Sequence, residues 1–156
     1  ITAQEILPMD IFESLFKFAF VRNPWDLQVS SWHHIARERP KLLEGIEDFD
    51  SFLYWKLEDP NRPYHYIVDA SIEPQWHSLM DFNGNQIVDF LGRYENLEAD
   101  YHAACQRIGL PKTPELPHKR QAKDRTDYRT YYSDYAYALV EKHFRQDIDN
   151  LGYTFD

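Results

Sequence analysis

Arg22 stands where an apolar run gives way to a helix start, and Ser30 follows on the exposed side of that helix. A guanidinium is a rigid fork of N–H donors, a hydroxyl adds another donor, and a helix N-terminus offers free backbone N–H groups, so together they suit a phosphate. An arginine in this place also fits a simpler pairing with a carboxylate at a sheet edge. A second concentration of donors lies further on, where Lys119, Arg120, Lys123, Arg125 and Arg129 are opposed by only Asp124 and Asp127. It reads either as a second anion contact or as a solvated charged loop.

Other chemistry has less support in the residues. The seven histidines include the pair His33-His34, but there is no His-Glu-x-x-His and no paired cysteine, so no metal site is expected. Neither a Gly-x-Gly-x-x-Gly run nor a complete P-loop occurs. Lys112-Thr113 imitates the end of a P-loop, yet Pro111 and Pro114 flank it and no glycine run precedes it. Cys105 falls on the apolar face of an expected helix and reads as a buried small residue rather than a nucleophile.

The elements that must position these groups begin with residues 16–40. Phe16, Phe18 and Phe20 alternate with Ala19 and Val21, so both faces are apolar apart from Lys17, the pattern of a central, parallel strand. Asn23-Pro24-Trp25-Asp26 then supplies an N-cap, a proline at the first helical position and a carboxylate at the third. Trp25, Val29, Trp32 and Ala36 form the expected core stripe of this helix, and Pro40 ends it. Before the strand, Thr2-Ala3-Gln4-Glu5 and Asp10-Ile11-Phe12-Glu13 have capping-box form around Pro8.

Downstream, residues 47–58 read as a helix with Phe49, Phe52, Leu53 and Leu57 on one face. Residues 64–76 read as a short strand or as a ligand-lining loop. Asn83-Gly84 marks a hairpin, and residues 88–94 continue as a strand. Asn96 starts a helix that Gly109 closes. A proline-rich, basic irregular stretch follows over residues 110–130. Ser133 caps a last helix, with Tyr137, Val140, Phe144, Ile148 and Leu151 in register and Gly152 at its end. Two strand-to-helix units give the chain an α/β rhythm.

With 156 residues the chain has the size of one domain, and 43% hydrophobic and 28% charged residues are those of a soluble globule. A net charge of -9 argues against nucleic-acid binding, though not against a local basic pocket. Residue 105 is the one cysteine, so no internal disulfide forms and a reducing compartment fits, which is the cytoplasm if the source is bacterial. No apolar run reaches the length of a membrane span.

The run Phe18-Ala19-Phe20-Val21-Arg22-Asn23-Pro24-Trp25-Asp26, followed by Val29-Ser30, resembles the 3′-phosphate motif of sulfotransferases that use 3′-phosphoadenosine-5′-phosphosulfate (PAPS). It is most similar to the carbohydrate-type enzymes and their bacterial relatives. The resemblance continues through Val88-Asp89-Phe90-Leu91-Gly92-Arg93-Tyr94-Glu95-Asn96-Leu97, Leu116-Pro117-His118, Tyr128-Arg129-Thr130-Tyr131-Tyr132, Asp147-Ile148 and Gly152-Tyr153-Thr154-Phe155. It implies an α/β fold, a P-loop NTPase-like three-layer sandwich with a mainly parallel sheet. It also implies that Arg22 and Ser30 hold the 3′-phosphate and that the segment bearing Lys119, Arg120, Lys123 and Arg125 closes over the nucleotide. Leu27 stands where the family commonly has an arginine. The family's glycine- and Lys-Thr-containing loop for the 5′-phosphosulfate belongs upstream of Ile1, so the N-terminal strand-loop-helix is expected to be missing and this chain to be the larger C-terminal part of the domain.

The implied reaction is sulfuryl transfer from PAPS to a hydroxyl of a carbohydrate-like acceptor, with no metal. His33 and Glu73 are candidates for the general base. Trp55, Tyr64, Tyr66 and Trp76 are candidates for stacking on an acceptor sugar. The alternative is a non-catalytic sulfotransferase-like module that binds a nucleotide or glycan.

Overall fold

A computed structural model describes residues 6–62, 70–81, 83–116 and 125–156. The capping box at residues 2–5, the candidate residues Tyr64 and Tyr66, and Lys119, Arg120 and Lys123 lie outside the described residues. The chain forms two compact units, residues 1–21 with 79–116 and residues 22–78 with 117–156.

In the first unit, helix α1 (Met9–Ser14) precedes strand β1 (Phe18–Val21), which pairs in parallel with β2 (Phe90–Arg93). The helix begins after Pro8, whose fixed φ suits an entry, and Asp10 makes no cap. The register places Phe18 beside Phe90 and Phe20 beside Gly92. Gly92 leaves room for the Phe20 ring, which a Cβ at that position would strike. The expected full burial of β1 is only partly met: Phe18 is 46% exposed, while Val21 is buried. Lys17, just before β1, donates its backbone N–H to Asp89 Oδ2 at 2.7 Å, and that bond lowers the Asp89 pKa. The Asn-Gly signal yields a single antiparallel bridge between Met80 and Gln86 rather than an extended hairpin.

Helix α4 (Leu97–Ile108) follows β2; α2 (Pro24–Glu38) and α3 (Phe49–Leu57) precede it in the chain and belong to the second unit. Asn96 does not cap it; its amide instead donates to Asp100, whose other oxygen accepts from the Arg93 N–H at 2.6 Å. The helix ends as expected at Gly109, with φ of 78° and Leu110 N–H returning to Cys105 C=O. Cys105 is buried in its face.

The second unit is helical: α2 (Pro24–Glu38), α3 (Phe49–Leu57), α5 (Asp134–His143) and α6 (Arg145–Leu151). Its core joins Trp25, Val29 and Ile35 of α2 to Phe49, Phe52, Leu53 and Leu57 of α3 and to Ala136, Leu139, Val140 and Phe144. Each fully buried large side chain contributes about 1.5–3 kcal/mol. On α2 the stripe turns toward Ile35, and Ala36 is exposed. The expected single last helix is two, because the backbone leaves helical geometry at Phe144, whose φ is -108° and ψ 25°, while its ring stays in the core. Ser133 and Asp48 cap α5 and α3 with their side-chain oxygens. Phe155 meets Trp25, Tyr128, Tyr132 and Tyr137 edge-on, which fastens the chain's last residues into this core.

Candidate functional site

The site grows from the start of α2, and there the expected free backbone N–H groups are not found. Pro24 has none. Asn23 Oδ1 accepts from the N–H groups of Trp25 at 3.0 Å and Asp26 at 3.4 Å, and Leu27 N–H closes onto the Asn23 carbonyl. Asn23 Nδ2 is itself tied to the Thr154 carbonyl at 2.7 Å. The N-cap that makes this a good helix start therefore consumes the donors that would make it a backbone anion site. Recognition here must come from side chains.

Those side chains lie along one face of α2, because positions four and three apart stack on a helix. Asp26, Ser30 and His33 make that row, and Arg22 joins it from just before the helix. One oxygen of the Asp26 carboxylate accepts from Arg22 Nε and the other from Arg125 Nη2. Two guanidinium groups are thus gathered on one carboxylate. Burial, and then the positive charge of Arg22 beside it, lower the Arg125 pKa. Ser30 is half-buried one turn beyond Asp26.

The segment carrying Arg125 is held along the same helix. Tyr132 Oη donates to the Trp25 carbonyl at 2.8 Å, and burial pushes its phenol pKa well above the ordinary value. Tyr131 Oη lies 2.8 Å from His33 Nε2, with the two rings edge to face. Arg125 and Tyr131 are therefore brought to opposite ends of the Asp26-to-His33 row. Arg129 instead forms an exposed ion pair with Asp127.

On the far side of α2 a buried cation braces the scaffold. Lys56, fully buried on α3, donates to Gln28 Oε1 at 2.8 Å and to the hydroxyls of Ser31 and Ser71, each at 2.6 Å. Gln28 Nε2 donates to the Ser71 carbonyl at 2.9 Å. The 3-10 turn Ala70–Ile72 is thereby fixed to α2 and α3.

The remaining candidates are placed less directly. Glu73 is exposed between two 3-10 turns. Trp55 is half-buried with its ring 6.0 Å from that of Phe52, and Trp76 is half-buried with its backbone N–H on Asp147. In the sequence Asp26 reads only as a helix-start carboxylate, although its four-residue spacing from Arg22 is an ion-pair signal. Tyr131 is marked in the sequence only as part of the run Tyr128-Arg129-Thr130-Tyr131-Tyr132, and Lys56 carries no local signal. Among the described residues no group of three or more His, Cys, Asp or Glu is placed to hold a metal ion, and no helix is long and apolar enough to cross a membrane.

Comparison with known proteins agrees with the family resemblance. The sequence model described as "Sulfotransferase family" matches residues 2–154. An uncharacterized protein of Archaeoglobus fulgidus is 31% identical over 102 residues, covering 65% of this chain and 74% of its own length. No solved structure matches significantly. On the match across nearly its whole length, the chain belongs to the sulfotransferase family.

Proposed function

We propose that this protein is a PAPS-dependent sulfotransferase with a three-layer, P-loop-like α/β domain, acting on a hydroxyl of a carbohydrate-like acceptor. The observation that carries the reading is the convergence of Arg22 and Arg125 on Asp26, with Ser30 next on the same helix face. Two forked cations and a hydroxyl fit a phosphate in donor type, and with the Asp26 carboxylate counted the cluster keeps a net positive charge. Two like charges held together also favour an incoming anion more than either alone would.

In this reading Arg22 and Ser30 bind the 3′-phosphate, and Arg125 adds a second guanidinium to it. When bound, PAPS would supply the sulfuryl group, with 3′,5′-diphosphoadenosine leaving through its 5′-phosphate oxygen. His33, further along the row, takes the proton of the acceptor hydroxyl, with Tyr131 orienting its ring. Trp55 and Trp76 are the acceptor-stacking residues of this reading, and Tyr64 and Tyr66 are assigned to it from the sequence alone.

The test, made on the full-length protein, is transfer of label from sulfur-labelled PAPS to a panel of neutral and acidic oligosaccharides. Label in the oligosaccharide fraction, lost in Arg22→Ala, is the expected result. Binding of 3′,5′-diphosphoadenosine without transfer to any acceptor would instead support a non-catalytic nucleotide-binding module.

A further inference from the structure

We propose that Gln75 and Asp147 are positioning residues for the 3′-phosphate site: Gln75 clamps the backbone of Arg22, and Asp147 sets the orientation of the Gln75 amide. This rests on the reading of Arg22 as the 3′-phosphate ligand. Gln75 Oε1 accepts the Arg22 N–H at 2.9 Å, and Gln75 Nε2 donates to the Arg22 carbonyl at 2.8 Å. One side-chain amide thus exchanges both bonds with one residue, as a neighbouring strand residue does in an antiparallel pair. It does so immediately after β1 has ended.

The clamp is itself held. Asp147, fully buried on α6, accepts the Gln75 backbone N–H at 2.9 Å and the Trp76 N–H at 2.8 Å. Its Oδ2 also lies 3.3 Å from Gln75 Nε2. A carboxylate can only accept, so this contact requires the NH₂ group of the amide to face Asp147 and the Arg22 carbonyl, leaving the oxygen for the Arg22 N–H. Upstream, Lys56 and Gln28 fasten the same segment at Ser71. Gln75 is therefore carried on a segment anchored on both sides.

This matters for binding because Arg22 is held at two ends, the backbone by Gln75 and the guanidinium by Asp26. A ligand group on a long side chain stays productive only if its base is fixed to within ~0.5 Å and ~10–20°. A supporting residue of this kind is identified by a loss of discrimination for the group that Arg22 reads. A residue needed only for folding would weaken every ligand alike or none.

The experiment compares calorimetric affinities of the full chain for 3′,5′-diphosphoadenosine and 5′-AMP, below the unfolding temperature, in wild type, Gln75→Met and Asp147→Asn. Methionine keeps the length and lacks the amide. The expected result is a wild-type preference for the diphosphate that falls roughly tenfold in Gln75→Met, the scale of lost outer-shell support. Asp147→Asn should lose less in the same direction, and 5′-AMP affinity should be unchanged in both. A folded Gln75→Met that keeps the preference, or loses both ligands equally, overturns the inference while leaving the Arg22 reading intact. If Gln75→Met does not fold, the same ratio measured on Asp147→Asn decides the question. If neither folds, the pair serves the global fold and the positioning role is wrong. A wild type without the preference overturns the Arg22 reading and this inference with it.

Discussion

Asp26 accepts the Arg22 Nε one helical turn away, and its second oxygen takes the Arg125 guanidinium, so a single carboxylate orders both cations of the candidate site. The carboxylate has two opposed effects on an incoming phosphate. It repels the anion, and it spares the entropy of ordering two long side chains, which is ~1.5–2 kcal/mol for each such side chain. Arg22 is only 8% exposed, so leaving it without its carboxylate is costly as well.

Asp26→Ala is accordingly expected to lower stability by about 2 kcal/mol, the scale of a hydrogen bond to a charged group. It should also reduce the preference for 3′,5′-diphosphoadenosine over 5′-AMP. Urea titration and calorimetry on the same preparation check the two effects. Tighter diphosphate binding in the variant would show that repulsion dominates over ordering.

Ser30→Ala removes one hydroxyl donor from a half-buried position on the Asp26-to-His33 row of α2. Its expected effect is a loss of about tenfold in diphosphate affinity, with stability unchanged within ~0.5 kcal/mol. Competition binding against 5′-AMP measures the first and thermal melting the second. An unaltered affinity would remove Ser30 from the site.

The boundaries of α2 are legible in the sequence because Asn23-Pro24 and Pro40 are strong local signals, and Gly109 and Gly152 mark helix ends through their left-handed φ. The state of the α2 N–H groups is not legible, because the same Asn23 that announces the helix also occupies them. Gln75 as the partner of Arg22, and Asp147 as the partner of Gln75, are illegible for a different reason: the bonds join residues far apart in the chain, and no local periodicity encodes them. The break at Phe144 is hidden because the apolar spacing continues without interruption through α5 and α6.

Lys56→Met tests the brace behind α2. Removing the ammonium leaves Gln28, Ser31 and Ser71 without their shared donor in a buried place. A destabilisation of about 2–4 kcal/mol is expected, read as a lower urea midpoint at constant slope. A neutral or stabilising effect would mean that the apolar replacement offsets the lost network.

Glu58 gives a pH dependence with a defined sign. The Lys142 ammonium, and after it His143, hydrogen-bond its carboxylate and lower its pKa from 4.5 to about 2. A carboxylate whose folded pKa is depressed binds its proton more readily when unfolded. Its contribution is therefore present above pH 4.5 and is lost as pH falls toward 2. The melting-temperature difference between wild type and Glu58→Gln should be constant above that window and shrink through it. A difference that persists at the acid end would contradict this assignment.

The most direct test of the 3′-phosphate site is thermal shift with 3′,5′-diphosphoadenosine against 5′-AMP, on wild type and on Arg22→Ala. The diphosphate is expected to raise the wild-type melting temperature more than 5′-AMP does, and that extra stabilisation to disappear in Arg22→Ala. Equal shifts from the two nucleotides in wild type, or an undiminished diphosphate response in the variant, would contradict the 3′-phosphate site.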